Sequence, residues 1–190
     1  MDGKQVQKSI SAPSLSGTVP VVVEYLILFG IGIIAIMLHA RLRTPLNIPG
    51  HHGLEFMALL LAGRVASNIK WASSVSSLGI GLVLLFPAFG FTDPFMGINF
   101  MFPGIMIDLL YNIRRQHKWH FFELALIAGV AYMAIPVSRM IIHLLTAYPY
   151  SSFIKHGYLI PMIFHFLSGM VGGFVGAGLT SSVIKKFIKK

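Results

Sequence analysis

An all-α membrane bundle of six transmembrane helices is the fold this sequence predicts, and three observations predict it. Hydrophobic residues make up 55% of the 190-residue chain and charged residues only 11%, about half the charged share of a soluble domain. The apolar residues come in blocks of spanning length, roughly 20 residues each. Lys and Arg, which leave a net charge of +9, gather at the ends of those blocks. That placement is a topology signal and speaks against a nucleic-acid partner. Cysteine is absent, which excludes disulfides, thiolate metal sites and cysteine nucleophiles.

Residues 1–19 are polar and rich in Ser, Pro and Gly, and read as a flexible tail. The first apolar block, 21–40, is too long for a signal-peptide core and no clear small-residue cleavage site follows it, so it reads as a retained helix. Five segments follow within a membrane domain of residues 20–185. Segment 53–69 is at the lower edge of spanning length, and 71–91 opens on Ser73, Ser74, Ser76 and Ser77. After the turn "FTDP", where Pro94 turns Asp93 away from helix, comes 95–112. Segment 120–147 carries Pro136 as an expected kink, and the last, 158–184, is glycine-rich. Residues 186–190 form a basic tail.

Orientation follows from the connections. Six spans put both termini on one side, together with Lys4, Lys8, Arg64, Lys70, Arg114, Arg115, Lys118, Lys185, Lys186, Lys189 and Lys190. The opposite side receives Arg41, Arg43 and Lys155. Eleven against three predicts cytoplasmic termini in the inner (plasma) membrane. The same basic tail can meet anionic membrane lipid.

Small residues at four-residue spacing mark helix contacts. Ala58 and Ala62 lie on the second segment, and Gly169 with Gly173 and Gly172 with Gly176 on the last. They serve packing inside the chain or docking to another membrane subunit.

Most histidines fall on the side opposite the termini. His51 and His52 lie in the loop "NIPGHHGLEF", with Glu55 just behind. Asn99 begins the fourth segment, and His165 lies about two turns into the last. Arg139 and His143 are four apart and share a helical face. An arginine at membrane depth faces the interior, a wet cavity or the headgroups. Arg139 therefore snorkels, lines an anion cavity, or pairs with Glu55 or Asp93. The candidate solute-binding set is His51, His52, Glu55, Asn99, Arg139, His143 and His165. Asp108 is expected to pair with a neighbouring helix or a partner, Asn112 and Arg115 being close in sequence. Glu24 and Glu123 suit helix N-termini.

Catalytic patterns are thin. "HH" at 51–52 and "HKWH" at 117–120 look like histidine boxes but fall on opposite membrane faces. Neither HExxH nor GxSxG occurs. The chain is expected to bind or transport rather than catalyse, with no cofactor. His51 and His52 could hold a metal ion on an irregular Pro-Gly backbone, although Arg41, Arg43 and Arg139 would repel it.

The order of these features resembles the substrate-binding S components of energy-coupling-factor transporters for vitamins and metals. The stretch "TPLNIPGHHGLEFMALLLAGRVASNIKWASSVSSLGIGLVLLFPAFGF" is similar to the biotin-type pattern, and "PFMGINFMFPGIMIDLLYNI" matches its fourth helix in character. The likeness runs from about residue 21 to the C-terminus. It implies a six-helix bundle that takes up a small solute and a lid made by Arg41, Arg43, Pro49 and Gly50. The implied partners are a transmembrane coupling subunit and cytoplasmic ATPases. The family's Ala-xxx-Ala pair on the first helix is missing, since His39 stands four after Ala35. Two other classes compete: a non-transporting subunit docked through its last helix, and a histidine-metal membrane enzyme.

Overall fold

The computed structural model describes residues 20–42, 53–86, 93–113 and 119–188, with side chains to residue 180. Among them are eight helices: α1 Val21–Arg41, α2 Gly53–Ala66, α3 Ala72–Leu84, α4 Met96–Ile113, α5 Phe121–Tyr132, α6 Ala134–Thr146, α7 Ser151–His156 and α8 Leu159–Ile188. Four stretches are long and apolar enough to cross a membrane: α1, α4, the joined α5–α6, and Leu159–Thr180 of α8. The chain is an all-helical, multi-pass membrane bundle. The second and third segments form shorter helices than predicted, 14 residues in α2 and 13 in α3.

Burial explains how so short a helix is tolerated. α2 packs against α1, α3, α4, α5 and α8, and Phe56, Met57, Leu60 and Leu61 are wholly buried. A helix enclosed by others has no hydrocarbon thickness to match. α1 and α8, by contrast, turn rows of large apolar residues outward, among them Leu26, Ile34, Leu167 and Val171. In lipid such faces carry no penalty.

The predicted small-residue faces close the centre. A side chain at Gly172 would strike the Gly53 and Leu54 carbonyls, and one at Gly176 the Ala58 carbonyl. Gly169 and Gly173 meet α5 at Ala128 and Ala125 in the same way. Ala58 is buried beneath α8 and Ala62 half-buried. These faces are filled within the chain, so docking of a partner must use other surface.

The fifth segment is two helices. Pro136 has no N–H for the Tyr132 carbonyl, and its ring crowds that carbonyl. The helix accordingly breaks at Met133, one turn ahead of the proline. After α6 comes an element the sequence reading lacked, the single-turn α7, closed by Gly157 at φ 65°.

One end of the bundle is tied by charge. Asp108 of α4 is fully buried. Its carboxylate accepts the Ser73 amide at 3.2 Å, the Ser74 amide at 2.6 Å and the Ser74 hydroxyl at 2.8 Å. Those amides open α3 and have no partner inside that helix. Arg64, near the end of α2, is 3.4 Å from the same carboxylate, donates to the Ser67 and Ile69 carbonyls and lies over the Tyr111 ring. Ser67 donates to Glu24 of α1 at 2.5 Å. Two sequence expectations change here. Asn112 serves the Lys70 carbonyl instead of Asp108, and Arg115 lies outside the described residues. Arg64 is no surface charge but a buried one. Glu123 does cap its helix, accepting the His120 amide at 2.9 Å.

Asp108→Ala is expected to cost about 3 kcal/mol, since it leaves Arg64 buried without its counter-charge, and to lower the melting temperature in detergent. Adding Arg64→Ala should then cost less than it does alone. Equal, additive losses would show that the two side chains act independently. Gly176→Leu should destabilise by about 2 kcal/mol or more, because α2 and α8 must separate; an unchanged melting temperature would contradict the close approach at Ala58.

Candidate functional site

The opposite end is built on rings. α2 ends there at Gly53, which lies against the Tyr132 ring and Gly172. From that level α8 continues back through thirteen residues to Leu159, and α6 continues beyond Tyr132 through thirteen more. At 1.5 Å per residue each stretch is about 20 Å of helix. α6 and the start of α8 therefore rise above the end of α2.

Five rings from five helices form the floor. His39 of α1 meets Phe100 of α4 at 4.9 Å and Phe56 of α2 at 5.9 Å. Phe56 meets Phe100 at 5.6 Å and Tyr132 of α5 at 6.1 Å. Tyr132 meets His165 of α8 at 4.8 Å. Phe56, Phe100, Tyr132 and His165 are all buried, so this layer separates the two ends of the bundle. His165 Nδ1 is 2.7 Å from the Pro161 carbonyl. A carbonyl only accepts, so Nδ1 carries the proton and Nε2 of the neutral ring is an acceptor.

Polar groups stand beside this floor. Asn99 is completely buried. Its Oδ1 accepts from Ser138 at 2.8 Å, and its Nδ2 donates to the Tyr150 hydroxyl at 3.4 Å. Burial pushes the Tyr150 phenol above its usual value, so it stays protonated. Arg139, next to Ser138, points toward Asp93 with a closest approach of 4.0 Å. Its guanidinium is 5.5 Å from the Tyr150 ring and 6.0 Å from the Phe100 ring. Asp93 is fixed by its own turn, accepting the Phe95 amide at 2.9 Å. Of the three sequence readings for Arg139, pairing with Asp93 is the one observed, although that pair is loose.

The predicted residues thus divide. Asn99, Arg139 and His165 converge on the floor, with Glu55 half-buried at the start of α2 nearby. His143 does not join them. Its Nδ1 binds the Tyr148 carbonyl at 2.7 Å and its ring faces Phe153 and Tyr158, so it closes the end of α6. The two stand four apart on α6 as expected, but their side chains diverge, Arg139 reaching toward Asp93 and Phe100 while His143 turns toward the connection. Arg41 is exposed at the end of α1. His51, His52, Arg43, Pro49 and Gly50 lie outside the described residues.

Sequence reasoning missed Phe56, Phe100, Tyr132, Ser138 and Tyr150. The only signal for Ser138 was its place beside Arg139. The rings carry no periodic mark that separates them from ordinary core.

Chemically, this end offers a cation stacked on aromatic rings, a neutral imidazole acceptor and buried amide and hydroxyl groups. Among the described residues no three His, Asp or Glu side chains gather as a metal site would need. No family model matches the chain, no curated protein matches it, and no solved structure matches it.

Proposed function

We propose that this protein is the solute-binding subunit of a membrane importer, resembling the S components of energy-coupling-factor transporters. It captures a small, anion-bearing solute at the His39 end. The single observation that carries this reading is Arg139. A guanidinium on a bilayer-spanning helix is costly unless it is paired or functional, yet its carboxylate partner stands 4.0 Å away while two rings flank it. A solute carboxylate or phosphate would give Arg139 the close bidentate partner that Asp93 does not. The aromatic floor supplies the apolar wall that small-solute sites use.

In this reading six segments cross the plasma membrane and both termini are cytoplasmic, as the Lys and Arg distribution favours. A lid made by Arg41, Arg43, Pro49 and Gly50, with His51 and His52 following, belongs to the same reading. The chain does no covalent chemistry. A transmembrane coupling subunit and cytoplasmic ATPases supply the work of reorientation.

The test is native mass spectrometry of the chain purified from its own membranes. Wild-type protein should carry a solute of defined mass. Arg139→Ala should weaken its retention about 100-fold, as removing a buried ion-pair partner worth about 3 kcal/mol would. Arg139→Lys should recover only part, lacking the bidentate fork. Equal retention by all three proteins removes Arg139 from the site and this reading with it.

A further inference from the structure

The segment that carries Arg139 is attached to the rest of the molecule in an unusual way. It begins at the Met133 break and ends at Gly157, whose positive φ and open surroundings make it a second pivot. Between them, residues 134–156 hold themselves together. Tyr148, Tyr150, Phe153 and His143 form a set of ring contacts at 4.9–6.4 Å within this stretch, which extends to Tyr158 just past Gly157. α6 has no buried residue after Ser138. The stretch rests on α4 and α8. Polar contacts from it reach the first turn of α4 and the turn before it: Ser138 and Tyr150 on Asn99, and Arg139 on Asp93. Just behind those contacts the seam is not filled. A lateral groove of about 370 Å³ opens between Phe102 and Met106 of α4 and Met133 and Val137 at the break.

We propose that residues 134–156 are a gate that swings as one body about Met133 and Gly157, and that Asn99 is the latch that holds it shut. Asn99 joins two points of the gate, Ser138 at its root and Tyr150 at its far corner, to one residue of α4. Releasing it leaves only the loose Arg139–Asp93 pair and ring contacts on this side. An anion that binds Arg139 competes with Asp93, so solute arrival and gate position are coupled. That coupling rests on the solute reading above; the gate itself does not.

The absence of native cysteine lets the motion be read directly. Cysteines placed at the exposed Leu145 and Ile98 and spin-labelled report the gate-to-α4 distance in the full chain, in lipid nanodiscs without added solute. Asn99→Ala should add a longer-distance population, and amide exchange over 137–156 should rise about tenfold while 121–131 stays as it was. Ser138→Ala, which removes one hydroxyl and spares the core, should shift both readouts the same way by less. Unchanged distances in both variants overturn the gate. So does a rise in exchange of equal size throughout the bundle, which would make Asn99 an ordinary core residue. Because no solute is present, an opened gate with Arg139→Ala still retaining solute would sink the importer reading and leave the gate standing.

Discussion

The fold hangs on one carboxylate. Asp108 takes three donors from the first turn of α3 and a fourth from Arg64 of α2. A helix N-terminus is a partial positive charge with open N–H groups, and lipid offers nothing else to satisfy them. Placing the carboxylate there fixes the depth of α3 against α4. Arg64 then fixes α2 against both, and Ser67 passes the constraint to Glu24 of α1. Four helices are levelled at one end by groups that would each be intolerable alone in hydrocarbon.

The two ends differ in how completely their charges are satisfied. At the Asp108 end the carboxylate has donors at 2.6–3.4 Å. At the other, Arg139 and Asp93 stand 4.0 Å apart, beyond hydrogen-bond distance. Rearranging the first would strand buried charges, while rearranging the second gives up little. Rearrangement therefore costs less at the His39 end.

Legibility followed physical range. Composition and apolar block length gave the membrane bundle, and four of six segments have spanning length, because hydropathy is a property of each residue alone. Pro136 announced the break in the fifth segment, since a missing N–H acts within one turn. The glycines of α8 announced a close approach but not its partner. What escaped was set by depth matching between distant segments. Nothing local joins Asp108 to Ser74, so proximity in sequence pointed to Asn112 instead. Arg64 looked like a loop charge because it closes an apolar run. Phe56, Phe100 and Tyr132 become a layer only when three helices are set side by side. His143 looked equivalent to Arg139 by spacing, and the difference came from the left-handed Ala147, which turns the Tyr148 carbonyl back to the imidazole.

The shortness of α2 connects these observations. Its lower end is fixed by Arg64 and Ser67, so whatever length it lacks must be missing at the upper end. There it stops against Tyr132 and Gly172 while α6 and α8 continue for about 20 Å. The longer helices carry the ring layer around the first turn of α2, to which α2 itself contributes Phe56. α6, which carries Arg139, buries only Ile135, Pro136 and Ser138. The same anchor that holds one end therefore decides how far α2 reaches toward the ring layer, beside which α6 runs on with little of its own surface buried.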